Sequence, residues 1–266
     1  MKKIYFYGSI LLVFLIVISA VYGLFIPGAY SRETANWATQ AKAQDWVDLL
    51  LAAPILLISA FFAYKKSLKA YLVWLGTLFF IVYSFLLYAF MVHFNAMFPV
   101  YMAVLGLSIY FLIFSLAQER TLVEKIYHTE NWSRKGSAIL LLASGILFYL
   151  VWGKEIFSNL LAGTVPGNII ETGLPTNGVY VIDTAFCLPA LIIGGYRLLK
   201  KRKLGYVLGG GLLVFSTLMS ANITLLLGYS SAKGFAAEMP VMIVFALFTL
   251  INLIFAINYL AHIRNG

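Results

Sequence analysis

Two aspartates 135 residues apart, Asp48 and Asp183, share a local pattern: each stands six residues before a proline, Pro54 and Pro189. A carboxylate within an apolar stretch is costly to bury, and at membrane depth such groups usually serve a proton, an ion or a polar substrate. A proline inside a helix removes one backbone hydrogen bond, and the freed carbonyls then need another partner or a water-lined cavity. An acid followed by a broken helix is therefore a pattern suited to holding a ligand. Other polar side chains fall at comparable places along the chain. Asp45 precedes Asp48, His93 and Asn95 close the third apolar run, and Asn222 lies toward the far end of the seventh. Asp48, Asp183, Asp45, His93, Asn95 and Asn222 are thus the candidate substrate-binding residues. The plainer role for the two paired acids is to stabilise helix N-termini, where the backbone dipole favours negative charge.

Other chemistry has little support. The three histidines, His93, His128 and His262, include no pair at ligand spacing on one helix, so no metal site is read. The single cysteine, Cys187, excludes an internal disulfide. There is no phosphate-binding loop, no dinucleotide fingerprint and no nucleophile–base set, so neither a cofactor nor a catalytic residue is indicated. Gly205, Gly209, Gly210 and Gly211 read as a small-residue face for close helix packing.

The elements that must position these residues follow from composition. Of 266 residues, 62% are hydrophobic and 11% charged, with a mean hydropathy of +0.91. That excludes a soluble globular domain, a disordered chain and a nucleic-acid-binding domain. It implies an all-α polytopic membrane protein. Eight runs are long enough to cross a bilayer: 4–26, 46–64, 70–92, 99–118, 137–153, 179–199, 204–228 and 240–261. The first run is longer than a signal-peptide core and is read as a retained span. With the N-terminus in the cytoplasm, 15 basic residues fall on the cytoplasmic side and four outside, a bias that places both termini inside the cell membrane's cytoplasmic face. The net charge of +9 is then a topology signal rather than a mark of an acidic partner.

The chain also resembles itself. Laid over 183–213, segment 48–78 is identical at nine of 31 positions, among them Asp48/Asp183, Pro54/Pro189, Lys65-Lys66/Lys200-Lys201, Tyr71/Tyr206 and Gly76/Gly211. This predicts two parallel four-helix repeats, 1–118 and 136–266, joined by a cytoplasmic linker, 119–135, that extends the fourth helix and then turns. The outer segments 28–44 and 154–178 are candidate covers for a site.

Three functions fit. The first is a small transporter or a small-molecule or lipid-binding protein with an acidic, outward-facing site between the halves. The second is a structural or assembly subunit of a membrane complex. The third is an intramembrane lipid-modifying enzyme with the acids and His93 as general acid and base. The expected surroundings are the lipid bilayer, a small-molecule or lipid ligand, and a membrane-protein partner or a second copy of the chain.

Overall fold

The computed structural model describes residues 1–118, 126–235 and 239–265. Eight of its helices are long and apolar enough to cross a membrane. In chain order the elements are α1 (Lys3–Phe25), α2 (Ala35–Tyr64), α3 (Leu68–Met91), α4 (Phe98–Gln118), β1 (Ile126–His128), α5 (Asn131–Ala162), α6 (Gly167–Thr172), α7 (Gly178–Leu199), α8 (Lys203–Ala232), α9 (Met239–His262) and β2 (Ile263–Asn265). The short α6 is the one helix among them that does not span. The protein is thus a helical, multi-pass membrane protein.

The helices outrun the apolar segments that announce them. α2 begins at Ala35, eleven residues before its apolar run, because Thr34 caps it by accepting the Trp37 N–H at 3.3 Å. Segment 28–44 is therefore largely helix rather than a separate cover. α5 likewise continues to Ala162 and ends at Gly163, whose φ of 65° supplies the left-handed turn that stops a helix. The linker departs more sharply from expectation. Residues 126–128 form a strand, antiparallel to 263–265, with Tyr127 opposite Arg264. Both partner segments are edge backbone with nothing else to pair, and Ile126 and Ile263 turn inward beneath them.

α1, α2, α3 and α4 pack as a ring, each against its chain neighbour and α1 against α4. α5, α7, α8 and α9 pack in the same order. The two groups meet along α3 and α8, with the outer part of α2 also lying on α8. Burial follows this plan: 67% of the apolar window of α3 and 56% of that of α8 is buried, against 11% for α9. A Cβ at Gly76 would meet the Gly211 carbonyl oxygen at 2.4 Å, so α3 and α8 approach here to a distance that only glycine permits.

Two backbone irregularities recur 135 positions apart. Residues Asp48–Ala52 and Asp183–Cys187 are both π-helical. In each, the residue before the proline donates five residues back, Ala53 to Asp48 and Leu188 to Asp183. The wider turn absorbs the N–H that Pro54 and Pro189 lack, so the helix continues through the proline instead of breaking. Each helix then ends at a lysine with positive φ, Lys66 (68°) and Lys201 (55°). The Ser67 N–H donates to the Phe62 carbonyl at 3.0 Å and the Arg202 N–H to the Arg197 carbonyl at 2.9 Å, closing both ends in the same way.

Candidate functional site

Asp48 lies fourteen residues into α2, and Asp183 lies beyond the first turn of α7, whose N-terminus is capped by Asn177. Neither caps a helix, so the helix-terminus role does not apply to either acid.

Asp45 and Asp48 are one turn apart on α2 and are 0% and 2% exposed. Asp45 receives two phenols: Tyr30 donates to one oxygen at 2.8 Å and Tyr88, from α3, to the other at 2.7 Å. The Tyr88 hydroxyl also lies 3.4 Å from the Ala41 carbonyl. It can donate to that carbonyl while accepting from a protonated Asp45, so Asp45 can hold a hydrogen-bonded arrangement with or without a proton. Gly23 of α1 makes room for this contact, since a Cβ there would fall 2.0 Å from the Asp45 carboxylate. Tyr30 sits in the turn before α2. Burial, and then the neighbouring Asp45, push its hydroxyl well above the usual phenol range, which keeps it a donor.

Gln44 organises the other acid. Its amide nitrogen donates to Asp48 at 3.0 Å and to Ser84 of α3 at 3.1 Å, while its oxygen accepts from Asn222 of α8 at 2.7 Å. Both amide hydrogens are used and the amide orientation is fixed from outside. Asn222 is 5% exposed, and its own oxygen has no hydrogen-bond partner. Among the described residues, neither Asp45 nor Asp48 has a lysine, arginine or histidine within ion-pair distance.

Asp183 stands apart from this cluster. It accepts from the Trp152 indole of α5 at 2.8 Å and faces the Tyr83 hydroxyl of α3. It is only partly buried. His93 and Asn95 lie in a third place, lining an outer cavity of about 180 Å³ with Tyr22, Arg32 and Glu33. Glu33, its side chain 1% exposed, takes the His93 backbone N–H at 2.7 Å and faces the His93 ring at 2.9 Å. Asn95 reaches Tyr101 at 3.5 Å, and Tyr101 faces Tyr30, so a polar chain of weak links leads from the cavity toward Asp45.

The structure therefore joins Asp45, Asp48 and Asn222, puts His93 and Asn95 above them, and leaves Asp183 on the far side of α3. Glu238 lies outside the described residues. The sequence reading missed Gln44 as the organiser, although it named the residue's position, and it missed Tyr30, Tyr88 and Ser84. Tyr88 and Ser84 are four apart on α3, and Gln44 and Asp48 are four apart on α2. A search for polar pairs at that spacing would have found both sets. No protein-family model, no curated protein and no solved structure matches this chain.

Proposed function

We propose that the protein binds and moves a proton or a small cationic or proton-coupled solute, and that Asp45 and Asp48 are the groups that carry it. The observation behind this reading is the pair of buried carboxylates on α2, one turn apart, with no cationic side chain to compensate them among the described residues. A buried carboxylate's charge must be met by a proton, a bound cation or an ion pair. With no ion pair at hand, the first two remain. The π-helical turn at Asp48 supports the same reading, since such turns gather at functional sites.

In this reading the two four-helix groups are parallel repeats about an axis along the membrane normal, crossing at Gly76 and Gly211. The recurrent π turns, the left-handed lysines and the matching order of packing support a duplication. The protein would lie in the cell membrane with both termini in the cytoplasm, as the basic residues favour. Asp183 would be the vestigial or secondary acid, and His93 and Asn95 would stand at the outer entrance.

The test is reconstitution in vesicles containing a trapped pH-sensitive dye, with an imposed membrane potential. The wild type should move protons, alone or with an added cationic solute, and Asp45→Asn with Asp48→Asn should abolish the movement while leaving the protein folded. Equal fluxes in wild type and double variant would sink the proposal. A second reading, an assembly subunit, is favoured by α9, which exposes Ile243, Val244, Leu247, Leu250 and Ile254 along its length. A stable larger complex after mild extraction from the native membrane would support it.

A further inference from the structure

At the end of α7 an apolar groove of about 660 Å³ runs into a basic turn. Its walls are Ile192, Ile193 and Tyr196, and its rim is Arg197 and Arg202. The backbone sets the rim. Lys201 turns left-handed, the Arg202 N–H closes onto the Arg197 carbonyl, and the two guanidinium-bearing residues are brought to the same end of the groove. Lys200 and Lys203 flank them, Lys200 lying 5.8 Å from the centre of the Tyr196 ring. Among the described residues no carboxylate pairs with any of these cations.

We infer that this groove is a binding site for one anionic phospholipid. The phosphate would lie between Arg197 and Arg202, whose planar donors suit phosphate oxygens. The first part of an acyl chain would follow Ile192, Ile193 and Tyr196 along α7. Basic pockets beside membrane helices take anionic headgroups in this manner. The chain carries its own control. The matching positions of α2 are Leu57, Ile58 and Phe61 for the walls, but Phe62 and Ser67 for the arginines. The apolar wall and the left-handed turn are present there without the phosphate-binding rim. The site is independent of the Asp45–Asp48 cluster and of any transport activity.

Native mass spectrometry of the detergent-purified protein, titrated with phosphatidylglycerol or with phosphatidylcholine, tests this. The wild type should bind one phosphatidylglycerol with at least tenfold preference. Arg197→Gln with Arg202→Gln should weaken that binding roughly tenfold or more, at about a kilocalorie per cation. Lys65→Gln with Lys66→Gln, in the matching turn, should not. Ile193→Trp, which fills the groove and keeps the arginines, should lose the lipid as well. If the arginine variant keeps the preference, or inorganic phosphate displaces the lipid at equal concentration, the site is not the one inferred. If Ile193→Trp binds the lipid normally, the groove is not its seat.

Discussion

The turns Asp48–Pro54 in α2 and Asp183–Pro189 in α7 have one backbone and two environments. Both are π-helical, both pass through a proline without breaking, and both lead to a lysine in the left-handed region. Around the first, Gln44, Ser84 and Asn222 enclose the acid, with Asp45 and two tyrosines beside it. Around the second there are an indole, one phenol and an acid that reaches the surface in part. The lesson is that a helix irregularity fixed by a proline can persist while the side chains around it diverge. One copy gains a buried polar network, and the other gains a phosphate-binding rim at its far end.

The contrast can be broken at its centre first. Gly76 and Gly211 occupy matching positions, but a Cβ at Gly76 would meet the opposing backbone at 2.4 Å, whereas one at Gly211 would meet the Leu75 side chain at 3.1 Å. Gly76→Ala should therefore cost toward the upper end of about 1–3 kcal/mol, and Gly211→Ala well under half of that, because a side chain yields where backbone does not. Thermal unfolding in detergent would check it, and equal losses would mean that the close approach is absent.

Removing the acids should produce a smaller and again unequal effect. Asp48→Ala takes a buried acceptor from Gln44 and should cost about 1–2 kcal/mol. Asp183→Ala loses one bond at a partly open site and should cost less than about 1 kcal/mol. The same unfolding measurement decides this, and a larger loss at Asp183 would reverse the ranking of the two sites.

The smallest effect concerns the strand pair that only the second group carries. His128 accepts the Glu130 N–H at 3.2 Å, its other ring nitrogen is buried without a partner, and it stacks 4.8 Å from Tyr259. Burial lowers its pKa below the ordinary imidazole value, with His262 and Arg134 adding repulsion. The unfolded state then binds the proton first, so stability should fall as pH drops below about 6.5 and level off once the folded form is also protonated. Glu130 and Arg134 are the charged groups nearest to it, and Tyr259 and His262 face it from α9. Hydrogen exchange of the 126–128 amides should rise on acidification, and His128→Asn should flatten that rise. An unchanged slope in the variant would assign the effect to another group.

Much of the fold was legible because lipid imposes simple rules. Eight apolar runs had to be helices, since no other open structure satisfies its backbone in hydrocarbon. The helix limits were less legible, because α2 and α5 extend through polar residues, Gln44 and Asp45 among them, that a hydropathy reading assigns to loops. The candidate site was legible in part. Asp45, Asp48 and Asn222 do meet, but Asn222 reaches α2 through Gln44, and a contact across 178 residues leaves no mark in local spacing. The strand at 126–128 gave no signal, since three residues have no period to read.

By itself the sequence determined the number of spans, their apolar character, the asymmetry of charge between the two ends and the recurrence of Asp, Pro, Lys-Lys and Gly at a fixed offset. These depend on composition and local chemistry, which the bilayer reads residue by residue. Only the tertiary structure decided which acid is enclosed. Asp48 and Asp183 have the same neighbours in sequence for the purpose of helix geometry, and their difference comes from what α3, α5 and α8 set against them. Burial and hydrogen bonding of a side chain belong to the packed neighbourhood, and that neighbourhood is assembled from segments far apart in the chain.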